Sequence, residues 1–354
     1  MPFGTLSTLD DLEHVNSTVE EFGEETLARR ASEAFTVYNR AADEMFRDFA
    51  VVTSQNQLPY GVSGDFTVQE LDQFGSPDVQ KTTAGGSLGL PLRFFGNAIQ
   101  WNRHFVLNSS VGQLATLLNR MASADLVNLT RQIRRALFTP TNNLAYQDAL
   151  ETKLVLQLRA LLNADGMAIP PGPNLETFNP NTHTHFMAAA TLTNAQLTAL
   201  VDNVVEHGVD GGVVIYINRS QESTIRGLAD FSAYQEAGIH LSDTDRYAIG
   251  AVLDVTNPTD RAIGRFAGAE VWVKPWVPSG YQLAFDTGNG ADRALAVRTR
   301  TGSLSGAGGF GLLYENDLFP LRATAYGREF GVGVAVRHKA AINYIGASYV
   351  APSL

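Results

Sequence analysis

The chain has 354 residues, 44% hydrophobic and 18% charged, so it can bury a core and is not broadly disordered. A net charge of −10 argues against a nucleic-acid binder that works by neutralising phosphates, and the absence of cysteine excludes disulfides, thiolate metal sites and thiol catalysis. The N-terminus MPFGTLSTLDDLEHV lacks the basic and apolar regions of a secretory signal, and no run of about 18 apolar residues could span a membrane, which reads as a protein made in the cytoplasm.

Residues 1–24 are polar and acidic and read as an arm with no core of its own. From Glu25 to Phe49 a helical stripe follows: Leu27, Ala31, Phe35, Tyr38, Ala42, Met45, Phe46 and Phe49. Such a stripe predicts packing, not a cofactor box. Between Leu58 and His104, glycines punctuate short extended pieces, which predicts a long two-stranded excursion with a polar tip near Phe74–Ala84. A lone hairpin is marginal in water, so this one should lie on something else, a neighbouring subunit being the obvious candidate.

Ser110 to Phe138 predicts one long amphipathic helix, about 40 Å at 1.5 Å per residue. Ser110 and Gln113 make a capping box, and Thr139-Pro140 ends the helix. Its stripe runs Val111, Leu114, Leu118, Met121, then slips by one residue to Leu126, Leu129, Ile133 and Leu137. A bend near Ala124–Asp125 would explain the slip. Its polar face carries Asn119, Arg120, Ser123, Arg131 and Arg134.

Residues 141–189 mix the extended run KLVLQLRALL with turn-rich sequence. Thr193 and Gln196 make a second capping box for a helix with Leu197, Leu200, Val201, Val204 and Val205, closed by Gly208. GGVVIYINRS predicts a buried strand and TIRGLADFSAY a further helix. The runs AIGAVLDV, AIGRFAGAEVWV, YQLAFD and RALAVRT predict strands, and the tail around Val332, Val334 and Val336 predicts one or two more. The region 141–320 thus reads as mixed α/β.

Candidate chemistry is sparse. Gly306–Gly311 matches G-x-G-x-x-G, but LLYENDLFPLR behind it lacks helical spacing, so a turning loop is expected instead of a dinucleotide site. His183 and His185 would face one way on a strand, as metal ligands can, with a third ligand needed from afar: His207, Asp202 or His240. Structural or solvated histidines are the expectation, and no metal site is predicted. Acid pairs Asp243/Asp245 and Glu315/Asp317 are ordinary surface patterns, and no nucleophile elbow, HExxH or Walker motif occurs. No catalytic residue and no cofactor is expected. There are four lysines (Lys81, Lys153, Lys274 and Lys339), the first at the expected hairpin tip.

The order of elements resembles the major capsid protein of tailed phages, the Hong Kong 97-type fold. An acidic arm, an extended hairpin, a long helix, an α/β region and a returning strand region occur in that sequence. The runs RRALFTPTN, LLNADGMAIPPGPNLETFNPNTHTHF, LTNAQLTALVDNVVEHGV and GFGLLYENDLFPLRATAYGREFGVGVAVRHKAAINYIG also look like capsid sequences. The resemblance covers essentially the whole chain. It implies an α+β fold with an N-terminal arm and helix (1–57), an extended loop or E-loop (58–105), a peripheral-domain spine helix (106–140), a mixed α/β axial domain (141–320) and peripheral return strands (321–354). It implies a non-enzymatic, late structural protein of the virion, made in the host cytoplasm, that self-assembles as hexamers and pentamers into an icosahedral shell around double-stranded DNA. The implied partners are the chain itself, a separate scaffolding protein, a portal and decoration proteins, with no membrane. Only about 24 residues precede the first helix, which leaves no room for a fused scaffold. Some members join a loop lysine to a peripheral asparagine, and Lys81 and Asn343 lie in corresponding regions. An encapsulin-like compartment shell shares the fold, and a soluble α/β enzyme using His183 and His185 with a metal is a third possibility.

Overall fold

The computed structural model describes residues 12–353 apart from 48, 62–69, 72, 74, 76–84, 149, 151–153, 235–259, 289–291, 304–307 and 319–320. Lys81, Lys153, Gly306, His240, Asp243, Asp245 and the run AIGAVLDV lie outside the described residues.

The long helix α4 (Val111–Phe138) is unbroken. Its N-cap is the one expected: Ser110 Oγ accepts from Gln113 N, and Gln113 Oε1 accepts from Ser110 N, both at 3.2 Å. The apparent slip is a polar residue on the inner face. Helical periodicity carries the buried line through Met121, Ala122, Asp125, Leu129 and Ile133, while Leu126 is 37% exposed. Position 125 belongs to the stripe, and the structure meets its carboxylate with partners instead of a bend. Asp125 Oδ2 accepts from Tyr38 Oη at 2.8 Å and from Arg328 Nη2, whose side chain is fully buried. Burial pushes the Asp125 carboxyl up, against the pull of Arg328.

Helix α2 (Glu24–Phe46) packs its buried face on the first half of α4. It stops at Phe46, and Phe49 sits in the turn beyond. The described part of the arm is not coreless. Leu12 and Val19 are both 1% exposed within that helix–helix core. Short helix α1 (Val19–Phe22) carries its own capping box at Thr18. Gly112 admits the arm at close range, since a Cβ there would stand 2.5 Å from the Glu13 carbonyl oxygen. The polar face of α4 also serves its own chain in part: Asn119 donates to Glu13 Oε1 (3.1 Å) and Arg134 Nε to the Trp276 carbonyl (2.5 Å).

Two sheets organise the rest. One has five strands: β1 (Ala50–Thr53), β4 (Arg93–Asn102), β13 (Leu295–Arg298), β14 (Gly311–Leu318) and the 14-residue β15 (Leu321–Val334), which pairs with β13, β14 and β4. The other has seven, in the order β7 (Phe186–Ala189), β16 (Ala340–Ile345), β12 (Tyr281–Asp286), β8 (Val213–Ile217), β11 (Ala269–Val273), β10 (Arg261–Phe266), β9 (Phe231–Ala233). Alternation along β8 covers both faces. Ile215 and Ile217 pack under α5 (Asn194–Val205), while Tyr216 enters the core shared with the second half of α4. That shared core joins Leu129, Ile133, Leu137 and Phe138 of α4 to Leu295, Val297, Phe330 and Val334. The second half of the α4 stripe therefore meets Phe330 and Val334 of β15, while the first half shares its core with Tyr326 of the same strand.

The boundary expected at 320/321 does not follow the sheets. β13, from the region read as axial, completes the five-stranded sheet, and β16, from the region read as peripheral, sits between β7 and β12 of the seven-stranded one. Pairing partners, not chain order, decide membership. Two local expectations also change. TIRGLADFSAY holds only the short helix α6 (Glu222–Arg226) before turning into β9, which pairs with β10. Thr193 caps α5, but Gln196 turns its amide to Asn343 instead of closing the box. Val205 is exposed.

A buried arginine ties the 141–165 segment to the strand region. Arg337, with no exposed side-chain surface, donates to the Ala160 and Leu161 carbonyls (2.8 and 3.2 Å), to Asn163 Oδ1 (2.7 Å) and to Asp165 Oδ1 (3.0 Å). Asp165 also accepts from Arg159 at 2.6 Å. Burial alone would raise the Asp165 carboxyl; the bonds from Arg337, Met167 N and Arg159 outweigh it and hold the pKa at about 2, below the ordinary 3.8. A folded-state pKa below the unfolded one stabilises the fold above the unfolded value, and that gain disappears as pH falls through the folded value. Asp165→Asn is expected to cost about 2 kcal/mol at pH 7, with the gap from wild type closing between about pH 4 and pH 2. Denaturant unfolding across that range measures it; a gap independent of pH would remove the ion-pair explanation.

Candidate assembly surfaces and a histidine cluster

The root of the expected extended loop is a short hairpin, β2 (Gln57–Tyr60) with β3 (Gly86–Gly89). The chain leaves β2 at Gly61, whose φ of +69° and 2.7 Å approach of its Cβ position to the Ala168 carbonyl admit only glycine. The root is clamped. Leu90 N donates to the Asn56 carbonyl (2.8 Å), Arg298 Nη1 to the Leu90 carbonyl (3.0 Å) and to Asp148 Oδ2 (2.9 Å), and Leu92 N to the same carboxylate (3.2 Å). Tyr60 Oη lies 3.1 Å from His338 Nδ1. The clamp holds the paired strands β2 and β3 to the body.

Apolar side chains remain outside on the five-stranded sheet and next to it. Phe94 on β4 is 51% exposed, Leu312 and Tyr314 on β14 are 57% and 55%, and Phe105 is 59%. Phe94, Leu312 and Leu313 line one side of a groove of about 570 Å³ that runs against α2. Single exposed apolar residues are ordinary; here Phe94, Leu312 and Tyr314 lie on β4 and β14 of one sheet and Phe105 on the helix Arg103–Asn108 beside it.

Asn343, on β16, is 1% exposed. Its Nδ2 donates to Gln282 Oε1 (2.6 Å) and its Oδ1 accepts from Gln196 Nε2 (2.9 Å), so both ends of the amide are engaged within the chain. The glycine-rich run leads into strand β14, so no helix N-terminus follows it to face a pyrophosphate.

The histidines converge. His183 and His185 enter β7, held by His183 N to the Asn179 carbonyl (2.9 Å), His185 N to the Leu162 carbonyl (2.8 Å) and Ile342 N to the His185 carbonyl (2.8 Å). His207 and Glu206 arrive from the end of α5, where Gly208 turns the chain at φ +86°. The three Nε2 atoms form a triangle: His183–His185 3.2 Å, His183–His207 3.0 Å and His185–His207 3.1 Å. Glu206 Oε1 stands 3.4 Å from His183 Nε2 and 3.8 Å from His207 Nε2. His185 is fully buried, and its Nδ1 donates to the Ala340 carbonyl at 2.7 Å. Phe178 lies against His183 and His207, with ring centroids 4.9 and 4.1 Å away. His338 packs on His207 at 5.2 Å, so the cluster touches the clamp beneath the hairpin root. Burial keeps these rings neutral: it pushes His185 down to about 3, His207 to about 2 and His338 to about 4, and lowers His183. Of the distant ligands considered from sequence, His207 is the one brought to the pair; Asp202 is not in the group. Glu206 escaped sequence reading, although its place directly before His207 was a signal.

No family model and no curated protein matches the sequence. Among solved structures, the chain is similar to one from Mycobacterium phage Patience, with a TM-score of 0.66 at 19% identity, over 99% of this chain and 96% of that one. It is less similar to the capsid of an empty GTA particle (TM-score 0.48, 13% identity, 85% and 90% covered) and to the holo-SrpI encapsulin complex from Synechococcus elongatus PCC 7942 (0.42, 10%, 88% and 90%). The fold is the Hong Kong 97-type α+β fold.

Proposed function

We propose that the chain is the major capsid protein of a tailed phage, the repeating subunit of an icosahedral head that encloses double-stranded DNA. The observation that carries this is the fold correspondence to a phage chain along almost the full length of both. The surfaces fit the role. A clamped hairpin root suits an extended loop for which a neighbour would supply the burial that an isolated hairpin lacks. The apolar set on the five-stranded sheet offers a further contact. Head-to-tail contacts that close into rings give hexamers and pentamers. In this reading the spine helix with the five-stranded sheet is the peripheral domain, and the seven-stranded sheet with α5 and α6 is the axial domain. The net charge of −10 suits a wall that must not grip packaged DNA. A separate scaffold, a portal and decoration proteins complete the head. The chain acts without catalysis, by assembly.

Negative-stain electron microscopy of the purified chain, with and without the gene products encoded beside it, tests the reading. Capsomers or uniform shells are expected. A monodisperse monomer under every condition would overturn it.

A further inference from the structure

We propose that His183, His185, His207 and Glu206 bind one zinc-like divalent transition-metal ion, which staples the axial sheet to the turn beneath the hairpin root. The spacing is that of a ligand set. Tetrahedral zinc with Zn–N bonds of about 2.0–2.1 Å separates its ligand atoms by about 3.3 Å. The three Nε2 atoms are 3.0–3.2 Å apart and Glu206 Oε1 lies 3.4 Å from the nearest of them. A point about 2 Å from all three nitrogens lies about 1 Å off their plane, at the bond length zinc requires.

Proton placement supplies a second argument. His185 Nδ1 spends its hydrogen on the Ala340 carbonyl, so its Nε2 presents a bare lone pair. Each of the other two Nε2 atoms is either a donor or an acceptor. If both accept, lone pairs face one another along all three edges. If only one donates, the remaining acceptor still faces the His185 lone pair. If both donate, two N–H groups collide. Every arrangement of neutral rings therefore leaves at least one repulsive contact in a mostly buried site. A cation at the centre satisfies all three lone pairs at once. The carboxylate fits the same picture, because Glu206 Oε1 is buried without a hydrogen-bond partner on the side facing the rings. The Nδ1 bond of His185 is the outer-shell contact that orients a metal-bound imidazole, and Phe178 fixes the other two rings.

Nitrogen-rich ligation selects zinc and its neighbours over magnesium or calcium, which prefer oxygen. With the carboxylate as fourth ligand the set is closed, as in structural sites, and leaves no position for a reacting water. The staple joins segments far apart in sequence: the turn before β7, the end of α5 and, through Ala340 and His338, the turn before β16. In a chain without cysteine this supplies a cross-link that disulfides cannot.

The untagged full-length chain, stripped with a chelator and titrated with Zn²⁺, tests the site, with Mg²⁺ as control. One tightly bound Zn²⁺ per chain is expected, with a rise in the unfolding midpoint that Mg²⁺ does not give. His183→Asn, at the most exposed of the three rings, should weaken Zn²⁺ binding by about 100-fold or more, and Glu206→Gln by about 10-fold or more, since even outer-shell losses cost 10–100-fold. Circular dichroism of the stripped proteins checks that each variant folds, and Glu206→Gln decides the matter if His183→Asn does not. Binding below one ion per chain, no midpoint rise in excess Zn²⁺, or folded variants that bind as tightly as wild type would overturn the proposal.

Discussion

Asp125→Ala is expected to destabilise the chain by about 3–5 kcal/mol, among the largest single losses the fold can suffer. The cost does not come from the lost attraction. It comes from the Arg328 guanidinium, which has no exposed side-chain surface and would stay in the core without the carboxylate that neutralises it. Two of its nitrogens, Nε and Nη1, already have no hydrogen-bond partner, and what remains is Asn39 Oδ1 at 3.3 Å and the faces of the Tyr38 and Phe310 rings. Removing both charges together gives the opposite result. Asp125→Leu with Arg328→Met should be nearly neutral or stabilising by about 1–4 kcal/mol, because desolvation of the pair is then avoided. Denaturant unfolding of Asp125→Leu, Arg328→Met and the double variant forms a closed cycle. A double variant clearly less stable than wild type would mean that the pair contributes net stability, and the desolvation argument would fail.

Phe49→Ala is expected to cost about 3–5 kcal/mol, and Phe49→Leu about 1–2 kcal/mol, since about 0.8 kcal/mol attends each buried methylene lost. Phe49 is 1% exposed and stands where the two sheets and α4 meet. Its ring touches Trp276, Phe285, Tyr216 and Phe46 at centroid separations of 5.6, 5.7, 6.3 and 6.4 Å. Those partners come from the end of α2 (Phe46), β8 (Tyr216), β12 (Phe285) and the turn after β11 (Trp276), so collapse of the cavity would have to move several elements at once. Thermal unfolding followed by near-ultraviolet circular dichroism should show a lower midpoint for Phe49→Ala and a reduced aromatic signal before the transition. A loss under about 1 kcal/mol would mean that the site relaxes.

Much of this was legible in the sequence where the signal is local. The capping box at Ser110, the stop at Thr139-Pro140 and the span between them are encoded within one helix, and the structure reproduces them. Asp125 misled because periodicity was followed through apolar residues only. A carboxylate on a buried face looks like a break in the pattern until Arg328, 203 positions later, is brought beside it. The same holds for the arginines. Arg298, Arg328 and Arg337 occur in or beside strand-like runs, and each is buried against a partner distant in sequence. The histidine cluster was half visible: the spacing of His183 and His185 is local, but only the packing of α5 on the seven-stranded sheet delivers His207 and Glu206. Sheet membership was the least legible feature. The string RALAVRT reads as a strand without saying which strand lies beside it.

The position of β16 has a consequence for how the chain comes into being. This strand lies between β7 and β12, with Ile342 opposite Phe186 on one side and Leu283 on the other. It follows both neighbours in the order of synthesis. At about 5–20 residues per second, the 156 residues from Ala189 to Ile345 take roughly 8–30 s. β7 presents an unpaired edge through that interval, and β12 does so from Asp286 onward, an unpaired edge being the feature by which strands of different chains find one another. A nascent chain in a crowded polysome would thus carry unpaired strand edges near one side of the future sheet, and a chaperone that shields them until residues 340–345 emerge would protect that sheet.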